Sequence, residues 1–221
     1  MRAYLVDMFR FIELPFTYHW IVRNAIGNGV RSVLDVGCGE GEFTKEISQG
    51  ERWKIYGIDI YPESVNKAKL SGVYKSVVVG DLVKISKSIA NRKYDIVLAS
   101  QVIEHLTKDD SLTLIAAMEK LALKRVVVTT TVGFIEYDPI DNLESKENPF
   151  QKHLSGWSPE DFTKRNYRVF GQGVKFVWRP GGLAHKFPKA LPICFLISFV
   201  FAPLVYFFPK LGTYMICVRK I

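Results

Sequence analysis

A chain of 221 residues with 48% hydrophobic side chains lies in the single-domain range and can cover both faces of a parallel sheet, and no repeat or low-complexity linker divides it. Its three cysteines, Cys38, Cys194 and Cys217, are odd in number and lack metal-ligand spacing, which argues against a disulfide framework and for a reducing compartment. The net charge of +8 suits anionic lipid or nucleic acid, but Lys and Arg are scattered and no RNA-binding module is present, so nucleic acid is not the expected partner.

The amino-terminal stretch, residues 1–29, reads as a helical cap. Asp7, Arg10 and Glu13 break any signal-peptide core, so the expected location is cytoplasmic. Phe9 to Trp20 is dense in aromatics. Two uses stay open for it: covering a cofactor or a flat acceptor, or packing Trp20, Ile21 and Ile26 on the sheet.

Residues 30–132 read as a cofactor-binding core. The run Val33-Leu34-Asp35-Val36-Gly37-Cys38-Gly39-Glu40-Gly41-Glu42-Phe43 joins a buried strand to a helix through three alternating glycines. Bare backbone at Gly37, Gly39 and Gly41 allows sharp turning and close ligand approach, and the next helix offers unpaired N–H groups. Neither register supplies G-x-G-x-x-G, which disfavours a dinucleotide. Asp35 would repel a pyrophosphate, whereas it suits an ammonium group such as that of S-adenosylmethionine. A second strand at 54–60 ends in Asp59 and Ile60, with Asp59 placed to accept bonds from two ribose hydroxyls. A third, at 75–80, leads to Asp81 and Leu82, a carboxylate for an adenine amine and an apolar contact for its ring. The fourth, at 94–100, ends in Ser100 and Gln101, and a fifth spans 124–131. Helices are expected near 41–49, 62–70, 82–90 and 109–122, the last capped by Asp109 or Asp110.

These motifs, in this order and spacing, resemble the class I S-adenosylmethionine-dependent methyltransferases over about residues 30 to 180. The resemblance implies a doubly wound, Rossmann-like sheet of seven strands in the order 3-2-1-4-5-7-6, with strand 7 antiparallel. It implies S-adenosylmethionine as cofactor, held by Asp35, Gly37, Cys38, Gly39, Gly41, Asp59, Ile60, Asp81 and Leu82, with Ser100 and Gln101 bordering the methyl. Strands 6 and 7 are then expected at 167–177 and 213–220, and Ser158-Pro159-Glu160-Asp161 reads as a capped helix start.

Residues 133–221 form the expected substrate side. Within Asn148 to Phe162, His153 is the candidate base for a hydroxyl acceptor, and His105 and Trp157 are candidate substrate contacts. The alternative is that His153 and Trp157 only tie down the loop. A second resemblance runs to the small-RNA 2′-O-methyltransferases, whose fourth-strand Glu-x-x-Glu-His and distant His hold a divalent ion. Glu104, His105 and His153 match, but Gln101 puts a neutral amide where a charged oxygen would help most. The expected site therefore has no metal. No Asn/Asp-Pro-Pro-Tyr follows the fourth strand, which disfavours amide or base-nitrogen methylation.

Leu191 to Phe208 carries no charge and lies within a hydrophobic insert, 187–209, flanked by lysines. A crossing would remove the last strand from its sheet, and Pro203 is expected to interrupt the helix. A helical pair over the substrate mouth, a homodimer contact and a monotopic membrane anchor stay open. The reading as a whole is methyl transfer to an oxygen of a small, apolar or lipid-like acceptor. A metal-assisted RNA 2′-O-methyltransferase, or a non-catalytic S-adenosylmethionine-binding partner protein, is the alternative.

Overall fold

The computed structural model describes residues 14–84, 89, 91–137 and 148–221. Seven strands, β1 (Ser32–Val36), β2 (Lys54–Asp59), β3 (Tyr74–Val79), β4 (Tyr94–Ser100), β5 (Ala122–Thr131), β6 (Arg168–Val174) and β7 (Gly212–Lys220), form one sheet in the order β3-β2-β1-β4-β5-β7-β6. β1 to β5 pair in parallel, and β7 lies antiparallel to both β5 and β6. The expected order and the reversed seventh strand are both found.

The strands are apolar because both faces are covered. In β1, Val33 faces a cluster with Ile21, Val22 and Ile26 of helix α1 (Tyr18–Ile26), while Leu34 and Val36 face the cluster containing Leu114, Ile115 and Met118. β4 alternates likewise, with Ile96 and Leu98 on the α1 side and Val97 and Ala99 on the other. Helix α2 (Glu42–Ile47) follows β1, and α3 (Pro62–Leu70) follows β2. Helix α4 (Lys108–Leu121) buries Ser111, Leu114, Ile115, Met118 and Leu121, the spacing of one helical stripe. Its cap is Thr107, whose side chain accepts from the Asp110 N–H, so the expected cap at Asp109 or Asp110 is corrected by one turn's start. A threonine oxygen satisfies the first-turn donor, leaving both acids inside the turn to face the helix dipole. The helix expected at 82–90 falls largely outside the described residues.

Ser158 caps α5 (Pro159–Thr163) with a reciprocal capping box to Asp161, as its sequence predicts. β6 ends at Val174, and the chain continues through α6 (Lys175–Trp178), α7 (Leu183–Lys186) and α8 (Leu191–Phe207) before returning as β7. The insert is one helix, not a pair, and Pro203 sits inside it rather than ending it. The registers Thr131↔Tyr214 and Val174↔Gly212 fix the consequence. The insert leaves and re-enters the sheet at the edge formed by the carboxyl ends of β4 and β5.

Candidate active site

The glycine loop turns as its composition requires. Gly37, Gly39 and Gly41 all have positive φ (72°, 52° and 87°). A Cβ would strike Val102 at Gly37 and the Tyr74 ring at Gly41, but would meet only open space at Gly39. Gly39 is thus the place where a ligand can approach bare backbone. Cys38 turns inward: it is buried, and its sulfur occupies the space a Cβ on Gly57 would take.

Three carboxylates surround this loop. Asp59 accepts from the Gly39 N–H at 2.8 Å and the Tyr61 N–H at 2.9 Å, which locks the loop to the end of β2. Asp35, 2% exposed, accepts from Thr44 Oγ1 at 2.6 Å and Tyr74 OH at 2.7 Å. Burial pushes its pKa up to about 6, against the pull of those two donors and with Asp59 adding to the rise. Asp81 accepts from the Val83 and Lys84 N–H groups and stays exposed, while Leu82 is buried in the main core. Ile60 lies half-buried beside them. Acids with an open glycine cradle fit a cationic, hydroxyl-bearing cofactor, and Asp35, Asp59 and Asp81 are the groups that would hold it.

At the end of β4, Ser100 Oγ lies 2.8 Å from Tyr18 OH, and Tyr18 OH lies 2.6 Å from Thr129 Oγ1. Gln101 has φ 55°, an uncommon conformation for a residue with a Cβ. Its backbone N–H donates to the Thr129 carbonyl at 3.1 Å, and its Nε2 to Thr129 Oγ1 at 3.2 Å. Tyr18 is pushed up to about 12 by burial, opposed by its bonds to Ser100 and Thr129, so it is a neutral hydroxyl. Tyr18 and Thr129 were not singled out from sequence. The signal for Thr129 is three consecutive threonines, 129 to 131, in an otherwise aliphatic strand; for Tyr18 it is only membership of the aromatic run.

The third group comes from the loop after β5. Leu154 and Ser155 N–H groups donate to the Glu104 carbonyl at 2.7 and 3.1 Å, and Ser155 Oγ donates to the Ile103 carbonyl at 3.0 Å. These bonds bring His153 against His105, with ring centroids 4.8 Å apart. His153 Nδ1 is 2.7 Å from the Ile135 carbonyl and His105 Nδ1 is 3.3 Å from the Lys152 carbonyl. A carbonyl only accepts, so each ring presents an Nδ1–H to its carbonyl. Burial holds His105 down to about 4, with His153 beside it lowering it further and the Lys152 carbonyl opposing. Glu104 is 1% exposed; Oε2 accepts from Thr130 Oγ1 at 3.0 Å, while Oε1 has no partner among the described residues. Burial pushes this carboxyl up to about 7. Donor atoms of Glu104, His105 and His153 all lie within 4.8 Å of one another.

Trp157 has no exposed face to offer an acceptor. It is 1% exposed, packs on Phe162, donates its Nε1–H to Ser155 Oγ at 3.0 Å and sits beneath Lys108 Nζ at 3.6 Å. Of the two uses left open for it, this burial fits the tying-down of the loop rather than substrate contact, with so large a ring packed beneath the segment that carries His153.

A family model described as "Methyltransferase domain" matches residues 8–165. The chain is 28% identical over 95 residues to the Ubiquinone biosynthesis O-methyltransferase of Erwinia tasmaniensis, covering 42% of this chain and 39% of that one. The matched segment thus spans about two-fifths of that curated relative. Among solved structures, a SAM dependent methyltransferase from Archaeoglobus fulgidus has a TM-score of 0.55 at 19% identity, covering 99% of both chains. The DhpI–SAH complex has a TM-score of 0.58 at 13% identity, covering 99% of this chain and 90% of that one. At such identities the structures establish the fold.

Proposed function

The chain belongs to the methyltransferase-domain family that uses S-adenosylmethionine, and from that premise we propose that it methylates an oxygen of a small, apolar acceptor. The observation that carries this reading is the His105–His153 pair, two imidazoles with ring centroids 4.8 Å apart whose Nδ1 atoms both face backbone carbonyls. When bound, the cofactor supplies a methyl group on positively charged sulfur. A hydroxyl that takes this methyl must lose its proton, and His153 Nε2 is the group we assign to receive it. The Ile135 carbonyl then bonds the imidazolium on its other side and stabilises it. His105, held near 4 and so neutral, orients the acceptor oxygen or packs against its ring without competing for the proton. Ser100 and Gln101, fixed through Thr129 and Tyr18, border the acceptor path by alignment rather than proton transfer. The low-identity match to an O-methyltransferase supports oxygen as the accepting atom, and the apolar insert on the same sheet edge supports a greasy acceptor.

The test is turnover on a panel of phenolic and quinol acceptors by wild type, His153→Ala and His153→Gln. Loss of about 10²-fold or more in kcat with cofactor affinity kept is the expected result. Full turnover in His153→Ala would remove the base.

One observation favours a second reading. Glu104 Oε1 is a buried oxygen with no partner among the described residues, and a carboxylate oxygen of Glu104 lies within 4.8 Å of a ring nitrogen of each histidine. Glu104, His105 and His153 form a donor set of mixed hardness that fits a divalent cation, which would polarise hydroxyls of the acceptor, as an RNA ribose requires. Calorimetry with Mn²⁺ on EDTA-treated protein separates the readings: binding lost in Glu104→Gln supports the metal, and no heat rejects it.

A further inference from the structure

Helix α8 is apolar on every side, yet only Cys194 and Val205 of its 17 residues are buried. Ile193, Leu196, Phe199, Val200 and Phe207 are each at least 60% exposed. Helices in globular proteins hide their apolar stripe, and an exposed one of this extent marks an interaction surface. The helix is also fixed in place. Tyr206 stacks on Phe170 at 4.7 Å, Trp178 Nε1–H donates to Ser198 Oγ at 2.6 Å, and a Cβ on Gly171 would meet the Val205 carbonyl oxygen at 2.3 Å. Its exposed flank is therefore a standing feature of the domain.

Charge identifies the occupant. Between Phe162 and Ile221 there are ten Lys or Arg residues and no Asp or Glu. Beside the helix runs an apolar groove of about 740 Å³, floored by Phe176, Leu183, Phe201 and Leu204, with Lys175, Arg179 and Lys186 on its walls. Lys189 stands at the helix entry, next to exposed Phe187. None of Lys175, Lys186 and Lys189 has a carboxylate partner among the described residues. A second copy of the chain docking here through this face would set these cations against their own mates, and residues 162–221 hold no Asp or Glu to relieve them. A bilayer with anionic headgroups supplies both an apolar interior for the phenylalanines and negative charge for the rim.

We propose that α8 and the groove beside it seat this protein on an anionic lipid bilayer as a monotopic anchor, its exposed flank immersed and Lys175, Arg179, Lys186 and Lys189 at headgroup level. Although the 20-residue span Pro188–Phe207, which contains α8, meets the length and composition for crossing a membrane, it stays on one side. Val205 and Tyr206 rest on β6, and β7 starts at Gly212 and pairs along Gly212–Lys220 with β5 and β6. A crossing would strip that strand from the sheet.

The test is flotation of the purified full chain with vesicles of phosphatidylcholine alone and of phosphatidylcholine mixed with phosphatidylglycerol. Wild type should float with the mixed vesicles, lose most of this at high salt, and bind neutral vesicles weakly. Lys186→Gln with Lys189→Gln should lower partitioning roughly thirty-fold, on the order of fivefold per cation. Phe199→Glu with Val200→Glu should abolish it. Both positions are exposed, so S-adenosylmethionine binding serves as the fold control and is expected to be unchanged. Absence of binding to mixed vesicles, or equal binding by the glutamate variant, overturns the proposal. A dimer in sedimentation that disappears in the glutamate variant, with no vesicle binding, overturns it in favour of a second copy. Neither readout depends on the acceptor, so failure here is separate from failure of the O-methylation reading.

Discussion

Asp35 offers a quantitative check on the proposed cofactor site, because the same carboxylate is buried for the fold and, on that proposal, would serve the ligand as an anion. Raising it from 3.8 to about 6 corresponds to about 3 kcal/mol favouring its protonated form in the free folded protein. Above pH 6 both folded and unfolded chains are ionised there, and the folded state carries the whole penalty. As pH falls through 6 the folded chain takes up a proton that the unfolded chain refuses until near 4, so stability rises across that window and levels off below it. Between pH 7.5 and 5 this amounts to about 1.4 kcal/mol. Asp35→Asn removes the titration while keeping an oxygen for Thr44 and Tyr74. Urea unfolding of both proteins at the two pH values gives the difference directly, and other titrating groups cancel in it. Wild type should gain about 1.4 kcal/mol on the variant at pH 5 relative to pH 7.5. Cofactor binding should run the other way. A cationic ligand favours the ionised group, so wild-type affinity should fall by about tenfold at pH 5, where about a tenth of Asp35 is ionised, and this slope should vanish in Asp35→Asn. A stability difference that does not change with pH would show that the penalty is not there, and a flat affinity profile would take Asp35 out of the cofactor site.

Asp59→Ala should abolish cofactor binding in calorimetry, and the freed Gly39 and Tyr61 N–H groups should also lower stability by about 1–2 kcal/mol. Trp157→Ala should cost about 3–5 kcal/mol in urea unfolding, and a change confined to acceptor KM with no loss of stability would restore it as a substrate contact. Gly41→Ala places a Cβ 2.6 Å from the Tyr74 ring at φ 87°, so a loss of more than about 1 kcal/mol is expected, accompanied by weaker cofactor binding as Tyr74 leaves Asp35. Gly171→Ala brings a Cβ onto the backbone of Val205 and Pro209, and should cost about 1–3 kcal/mol while shifting the fluorescence of Trp178, which is bonded to α8 through Ser198.

The sheet was legible because parallel strands buried on both faces must be aliphatic along their whole length, and the acids and glycines that interrupt them can then only lie at their ends. Asp35 and Asp59 stand out for that reason: each is a charge inside or just past a run of Val, Leu and Ile. Trp157 stays open between its two readings in the sequence because sequence reports that a side chain is large and aromatic, not which way the loop turns it. Only the bonds from Leu154 and Ser155 to the Glu104 carbonyl show that the loop folds inward and carries the indole under Lys108. Pro203 was misread for a related reason. Proline removes one helical donor, but when the preceding turns carry no charge and the helix is anchored at Val205 and Tyr206, continuing costs less than exposing more backbone. The meeting of His105 and His153 lay between these cases. The two lie 48 positions apart in the chain, so no local pattern encodes their contact. What encodes it is a chain of small constraints: Ser155 on Ile103, Lys108 on the Gly156 carbonyl, and Trp157 filling the space beneath. The chemistry at this edge therefore depends on residues that never touch an acceptor, and a lesion in the Trp157 seat should disarm His153 while leaving the glycine loop able to hold its cofactor.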